Sequence, residues 1–533
     1  MLGQMQDWEL RLPTLLDHAA REHGTREIVS HWADGSRTRS NWAGVRHDAL
    51  RLSQALRRMG LGGGCRVATL AMNHLHHLSA FYGIVGAGAV LHTLNPRLFD
   101  DQLDYIANHA EDRVLLYDAA FAPLVERLRP RWPTIEQFVC FDDLGGGRGE
   151  YEALLSGEDG QGEWATGDER ESCHLCYTSG TTGNPKGVLY THRSSMLHAL
   201  ASLQPAILGL EPRSVFLPVV PLFHAAGWGL AWSCAAAGAK LVLSAVNEPA
   251  VLCDLLTSER VTHMGGVPTV WLAMFGHLDA TGQTPPALER AIVGGSAMPP
   301  ATIARLMEAG VKVMHAWGMT ETSPIGTAGA EHPEWAGLGF EERVGKTALQ
   351  GRVPYGVELR CVDLDGSGRE LPRDGRSPGA LQVRGPWVVQ RYFGAEEDAV
   401  GPGGWFDTGD VGIIHPDGTL QLTDRTKDVI KSGGEWISSV ELENAAVGHP
   451  DVAEAAAIGI AHPRWDERPL LVVVRKPGRT VEAEDIRRFL STRVAKWWLP
   501  DAVEFVAELP HGATGKIAKQ QLRAAFRGYS FPD

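Results

Sequence analysis

Cysteine is scarce in this sequence. The 533 residues hold seven, at Cys65, Cys140, Cys173, Cys176, Cys234, Cys253 and Cys361. An odd and scattered count offers no disulfide framework and suits a reducing compartment, so a cytoplasmic setting is expected. The one close pair, Cys173-His-Leu-Cys176, matches C-x-x-C, yet no second pair completes a zinc site. It reads as a buried strand, with redox or metal work as the alternative. Positive charge is also short, since 50 Lys and Arg against 64 Asp and Glu leave a net charge of −14. No basic stripe is present, which argues against a nucleic-acid partner and weakly against anionic membrane surfaces. Long apolar runs are missing too. The longest, 78–91, contains six Gly and Ala residues and is flanked by His76, His77 and His92. A buried helix and strand explain it better than a membrane span, so no stable membrane insertion is expected. The start of the chain carries Asp7, Glu9 and Arg11 and no apolar core of a signal peptide.

What the chain does have is length and a normal apolar fraction, 44%. A chain of this size exceeds one ordinary core and implies two or three domains. Its densest feature is the stretch 177–187, Tyr-Thr-Ser-Gly-Thr-Thr-Gly-Asn-Pro-Lys-Gly. Hydroxyls, glycines and Lys186 crowd a loop that follows the strand-like Leu175-Cys176-Tyr177 and precedes an expected helix. Exposed N–H groups and hydroxyls can wrap phosphate oxygens, glycine permits close approach, and Lys186 adds a point charge. It is not a Walker A loop: Gly180 is followed five residues later by Pro185, and Lys186 by Gly187. The plain alternative is a polar surface loop.

The run 178–187 resembles the phosphate loop of the adenylate-forming superfamily, which includes acyl-CoA synthetases, adenylation domains and beetle luciferases. The resemblance implies that Thr178, Ser179, Gly180, Thr181, Thr182, Gly183 and Lys186 handle the β- and γ-phosphates of ATP, with Thr182 near the metal. It extends along the chain. Residues 1 to about 170 alternate helix-like segments (15–20, 50–59, 103–107) with strand-like ones (67–70, 90–94, 114–117), as in a parallel sheet with crossover helices. Residues 143–170 read as surface loop. The strand 215–220 ends in Pro221-Leu-Phe-His224-Ala-Ala-Gly-Trp228. A lone His beside aromatics is usually a satisfied core residue. By resemblance, His224 lies near the acyl carboxylate and Trp228 gates the acyl tunnel.

Further strands are expected at 240–244, 261–267, 291–293 and 311–314, with a helix over 269–275 and another from Pro299 or Pro300 to about Ala309. Two adjacent strand ends carry Gly294-Gly-Ser-Ala297 and His315-Ala-Trp-Gly-Met-Thr-Glu-Thr322. Ligands sit beyond the carboxyl ends of parallel strands. The resemblance places Gly295, Ser296 and Ala297 against adenine. It puts Trp317 in the stacking position within Ala316-Trp317-Gly318-Met319, and Thr320 and Glu321 near the α-phosphate and Mg²⁺. A carboxylate holding Mg²⁺ beside phosphate neutralises developing charge; the alternative for Glu321 is a solvated loop carboxylate. Residues 350–424 are Gly-rich with hairpin signals and read as a β-rich subdomain. Asp410 and Arg425 match the family residues that reach the ribose. Lys427 falls at the family hinge, where Asp is commoner. Lys431, Gly433, Gly434 and Trp436 match the border of the CoA tunnel, with a plain surface role open for Lys431. A small α+β domain follows, with helices at 440–447 and 486–494 and strands at 455–460, 470–474 and 503–506. It ends in Pro510-His-Gly-Ala-Thr-Gly-Lys516. Lys516 matches the lysine that enters the site during adenylation.

The expected fold is therefore α/β: a large N-terminal AMP-binding domain, 1–426, of parallel-rich sheets flanked by helices; a hinge at 427; and a small mobile α+β domain, 428–533. The expected activity is ATP- and Mg²⁺-dependent formation of acyl-AMP from a carboxylic acid, then transfer to coenzyme A. A carboxylate attacking an anionic phosphate needs positive charge and alignment rather than a base. Phe223-His224 with Trp228, and Gly-Gly-Glu-Trp436 rather than Gly-Gly-Glu-Asn, favour aliphatic acids. The chain is similar to bacterial fatty acyl-CoA synthetases, and within them to the branch containing 3-methylmercaptopropionyl-CoA ligases, on its Met-Leu-Gly-Gln-Met start and its 316–324 run. An aryl-acid CoA ligase, a longer-chain or acyl-AMP ligase and a nucleotide-binding protein without turnover are the rivals. A homodimer is expected from the relatives alone.

Overall fold

The computed structural model describes residues 3–141, 149–178, 184–283, 288–329, 331–433, 435–511 and 517–531. The chain divides into two compact units, one of residues 1–358 and 384–406 and the other of residues 359–383 and 407–533.

The first unit holds two large sheets. One runs in the order Gln137–Phe141, Val114–Asp118, Arg66–Leu70, Val90–Thr93, Ser172–Tyr177, Gly187–Thr191. Its first five strands pair in parallel, and only the last pair is antiparallel. Parallel strands are covered on both faces, which is why 67–70, 90–93 and 114–117 are apolar without alternation. The run 78–91 becomes the buried helix Leu75–Gly86 and the strand Val90–Thr93. The other sheet runs Ile325–Ala328, Lys312–Gly318, Arg290–Val293, His263–Gly266, Val215–Pro218, Lys240–Ser244, Glu27–His31, Arg37–Asn41. Its six central strands are parallel, and both outermost pairs are antiparallel. One core beneath this sheet gathers Trp271, Met264, Val293, Leu255 and Ile303, all buried.

Three local features depart from the sequence reading. The segment after the phosphate loop is a strand before it is a helix: Gly187–Thr191 pairs with Ser172–Tyr177, and the helix starts only at His192. Val188, Leu189, Tyr190 and Thr191 favour an extended chain, and the Thr191 hydroxyl then accepts from Ser194 N at 3.0 Å, capping the helix. The region 143–170 is not all loop, since Glu150–Leu155 is helical with Tyr151 and Leu155 buried. The hairpin Glu27–His31 with Arg37–Asn41 extends the second sheet and carries no strong alternation on its polar outer strand. Cys173 and Cys176 lie buried in their strand, as free thiols. Burial pushes them up to about 12 and about 11, so neither is a ready thiolate.

The second unit contains the four-stranded sheet Glu358–Val362, Gly379–Arg384, Phe406–Ile414, Leu420–Arg425 and a five-stranded sheet built on Val452–His462 and Asp466–Arg475. Compactness thus groups residues 359–383 and 407–425 with the C-terminal chain, whereas the sequence pattern placed 350–424 with the N-terminal domain. The connection is visible. Asp424 accepts from Ser439 N at 2.5 Å and from Ser439 Oγ at 2.9 Å, at the start of the helix Ser439–Val447. Lys519 reaches the same helix, 2.8 Å from Glu443 Oε1.

Buried neutral histidines give the first unit a pH-sensitive stability. His198 Nε2 accepts from Ile325 N and His192 Nδ1 from Leu12 N, both at 3.3 Å, which requires the unprotonated nitrogen. Burial holds His174, His192 and His198 down to about 3 and His77 down to about 4. These are bases with folded values below the unfolded value of about 6.5. Below that pH the unfolded chain takes up protons the folded chain refuses, so stability is complete above about 6.5 and declines as the pH falls towards about 3. The thermal midpoint is expected to fall between pH 7 and pH 5. His198→Gln, which keeps an acceptor for Ile325, is expected to flatten that decline.

Candidate active site

The first unit brings the two stems of the phosphate loop together. Tyr177 stands opposite Gly187, Thr178 N donates to Lys186 O at 2.9 Å, and Lys186 N donates to Thr178 Oγ1 at 3.3 Å. A side chain at 187 would meet Phe393 Cβ at 3.0 Å and the Tyr177 ring at 3.1 Å, so glycine lets these two groups close tightly on the stem. Tyr177 Oη lies 2.6 Å from His109 Nδ1. Ser179, Gly180, Thr181, Thr182 and Gly183 lie outside the described residues.

Two neighbouring parallel strands, Arg290–Val293 and Lys312–Gly318, deliver the next groups. Gly295, Ser296 and Ala297 are exposed just past the first strand, and Gly295 turns with φ +87°. His315 ties this turn down: its Nε2 lies 3.3 Å from Ser296 O and its Nδ1 2.8 Å from Ala348 O. Trp317 is buried with its ring over Gly326, where any side chain would come within 2.3 Å of it. Ala316 precedes it, and Gly318 and Met319 lead into the single helical turn Thr320–Thr322.

That turn is held from several sides. Tyr190 Oη donates to Thr320 O at 2.7 Å, and Val389 N donates to Glu321 O at 2.8 Å. Glu321 is buried, and its Oε1 accepts from the Tyr392 hydroxyl at 2.8 Å. The Lys186 ammonium lies 4.7 Å from the centre of the Tyr392 ring. Phe393 N then donates to Gly187 O at 2.8 Å, closing the path back to the loop stem. Tyr190 and Tyr392 carry no motif signal of their own; they are found only once distant segments are placed side by side.

His224 and Trp228 flank an unusual turn. Ala225, Ala226, Gly227, Trp228 and Gly229 are all left-handed, with φ between +36° and +69°. The Trp228 ring edge lies against Gly294, where an added side chain would approach it to 3.1 Å. Asn73, buried, holds the approach to this turn: its Nδ2 donates to Pro218 O and Val220 O at 2.9 Å each, and its Oδ1 accepts from Leu222 N at 2.7 Å.

In the second unit, adjacent strands place Asp410 opposite Arg425. Arg425 Nε lies 2.8 Å from Asp410 Oδ1, with the carboxylate buried and the guanidinium half-exposed. Thr408 Oγ1 accepts from Asp410 N at 3.1 Å and donates to Leu381 O at 2.8 Å, fixing the strand. Lys427 is exposed between this sheet and Ile430–Ser432. The Lys431 ammonium lies 5.1 Å from the Trp436 ring centre. Gly433 has φ +61° and donates from its N–H to Trp465 O at 2.7 Å. Gly434 and Lys516 lie outside the described residues; the flanking His511 and Ile517 pair with each other.

Among the described residues no group of three or more His, Cys, Asp or Glu could enclose a metal. Glu321, a single buried carboxylate, fits Mg²⁺, which is bound through one or two carboxylates while phosphate oxygens and water complete its shell.

The sequence matches the model of the AMP-binding enzyme family over residues 16–393 and that of the AMP-binding enzyme C-terminal domain over residues 441–516. It is 47% identical to a 3-methylmercaptopropionyl-CoA ligase of Ruegeria pomeroyi, over 99% of both chains. It is 45% identical to a medium-chain-fatty-acid–CoA ligase of Ectopseudomonas oleovorans, over 99% of this chain and 98% of that one. Among solved structures, the anthranilate CoA ligase AuaEII in complex with anthranoyl-AMP overlays with a TM-score of 0.85 at 25% identity, over 98% of each chain. ATP-bound MatB from Rhodopseudomonas palustris gives 0.83 at 25% identity, over 98% of this chain and all of that one. The chain belongs to the AMP-binding enzyme family and is an ATP-using, AMP-forming acid–thiol ligase of the acyl-CoA synthetase class.

The Asp410–Arg425 pair offers a direct test. Asp410→Ala removes an acceptor suited to two ribose hydroxyls. It is expected to weaken ATP binding about ten-fold or more in calorimetry, at roughly 1.5–3 kcal/mol for hydrogen bonds to a charged group, while the same variant keeps its thermal midpoint within a few degrees.

Proposed function

We propose that this chain converts a short- or medium-chain aliphatic carboxylic acid, of the fatty acid or 3-methylmercaptopropionate type, to its coenzyme A thioester through acyl-AMP. The observation that carries the reading is the set Lys186, Tyr392 and Glu321, joined in one unit with the Gly295–Ser296–Ala297 turn and Trp317 on adjoining strand ends. An acyl carboxylate oxygen attacks the α-phosphorus, its bond to pyrophosphate breaks, and acyl-AMP forms. The CoA thiolate then attacks the acyl carbon, and AMP leaves. Lys186 and Lys516 supply positive charge to this anion-on-anion step, and His224 orients the acid. Bound at Glu321, with Thr182 alongside, Mg²⁺ would neutralise charge on the phosphates. Asp410 and Arg425 hold the ribose. Lys427 serves as the hinge that lets the C-terminal segment exchange Lys516 for the CoA tunnel bordered by Lys431, Gly433, Gly434 and Trp436. A cytoplasmic setting agrees with seven free cysteines.

The aliphatic preference rests on the acids named for the two relatives that match over nearly the whole chain.

The experiment is pyrophosphate release from ATP with C2 to C12 acids, methylthiopropionate, benzoate and cinnamate, with and without CoA. Release with aliphatic acids and CoA-dependent thioester formation are expected. Preference for benzoate or cinnamate would overturn the substrate reading, and no release with any acid would overturn the reaction. Lys516→Ala is expected to lower acyl-AMP formation about 10²–10³-fold, the scale of one removed charge-stabilising donor, while thioester formation from synthetic acyl-AMP persists. Trp228→Ala is expected to shift selectivity towards longer acids by about ten-fold, in line with the worth of a methylene or two in an apolar pocket.

A further inference from the structure

Tyr392 touches both charged side chains that the proposed reaction assigns to the triphosphate. Its ring carries the Lys186 ammonium at 4.7 Å from its centre, and its hydroxyl donates to Glu321 Oε1 at 2.8 Å. The segment bearing it is stitched at both ends. Ser323 Oγ donates to Trp387 O at 2.8 Å, and Trp387 Nε1 donates to Ile325 O at 3.0 Å. Val389 N donates to Glu321 O and Phe393 N to Gly187 O, each at 2.8 Å. The strap therefore joins the Thr320–Thr322 turn to the stem of the phosphate loop within one compact unit.

A lysine on a four-carbon stem samples many rotamers, and ordering it costs up to about 2 kcal/mol. A cation over an aromatic face gains about 0.5–1 kcal/mol when exposed and 2 or more when desolvated. The Tyr392 ring offsets part of that ordering cost for the exposed Lys186 before any nucleotide arrives. A phenol keeps its proton at neutral pH, so the hydroxyl serves as the donor to Glu321.

We propose that Tyr392 is a positioning residue for ATP: its ring seats Lys186 at the loop stem and its hydroxyl fixes the Glu321 carboxylate, so that both charges stand in register before the triphosphate binds. This inference rests on the roles given to Lys186 and Glu321 in the proposed function.

Two substitutions separate the two contacts. Tyr392→Phe keeps the ring and removes the donor; Tyr392→Leu removes both. ATP binding is measured by calorimetry without acid, adenylation by pyrophosphate release, and the second half-reaction by thioester formation from synthetic acyl-AMP. Tyr392→Leu is expected to weaken ATP binding about five-fold, the scale of a lost exposed cation–π contact. Tyr392→Phe is expected to bind ATP within about two-fold of the parent but to lower kcat for adenylation about ten-fold, with KM for the acid unchanged, the pattern of an interaction felt in the transition state. Both are expected to retain thioester formation from acyl-AMP. The inference is overturned if both variants bind ATP and adenylate like the parent, or if thioester formation falls as far as adenylation, which marks a merely structural role. Should Tyr392→Leu fail to fold, the kcat-against-KM split in Tyr392→Phe decides. If the parent releases no pyrophosphate with any acid, the acid-activation reading fails, while the calorimetric arm still reports on Tyr392.

Discussion

Everything in the first unit leans on the pairing of Ser172–Tyr177 with Gly187–Thr191. A loop rich in glycine and hydroxyls loses more backbone entropy on ordering than almost any other sequence. Among the described residues, its anchoring comes from the stems. Five register pairs, the Thr178–Lys186 backbone bond and the close fit of Tyr177 and Phe393 around Gly187 supply it. The turn that carries Glu321 is then positioned from the second of these strands: its Tyr190 bonds Thr320, and its Gly187 anchors the strap that bears Tyr392.

A chain with net charge −14 is a poor background for a triphosphate. Attraction here has to be local. Lys186 is seated on an aromatic ring, and Arg425 is paired with Asp410 at 2.8 Å. Seating matters more than number, since a cation already held at a set place gives up less conformational freedom when a ligand binds. The buried histidines, whose protonation burial opposes, add no compensating positive charge, and the buried cysteines stay neutral thiols.

The sequence disclosed the groups that meet a ligand and hid the groups that hold them. Residues 178–187, 294–297 and 315–322, and the residues Asp410 and Arg425, form short local patterns whose spacing carries the chemistry. The parallel sheets were legible because 67–70, 90–93 and 114–117 are apolar throughout. Tyr190, Tyr392 and Asn73 were not, because each acts on a segment between 71 and 149 residues away and carries no pattern in its own neighbourhood. The strand Gly187–Thr191 was passed over because its extended-favouring residues make a strand only once a partner strand is in place. The grouping of residues 407–425 with the C-terminal chain depends on Asp424 and Ser439, fifteen positions apart with no pattern linking them.

The turn 225–229 shows how such hidden supports combine. Three non-glycine residues there, Ala225, Ala226 and Trp228, adopt left-handed backbone. Each costs about 1–2 kcal/mol, so the turn holds several kcal/mol that a relaxed chain would release. It persists because its surroundings over-determine it. Asn73 fastens the entering strand with three buried hydrogen bonds, and the Trp228 ring closes against Gly294. Strain in the turn is therefore offset by the Asn73 hydrogen bonds on one side and by the apolar Trp228 contact on the other.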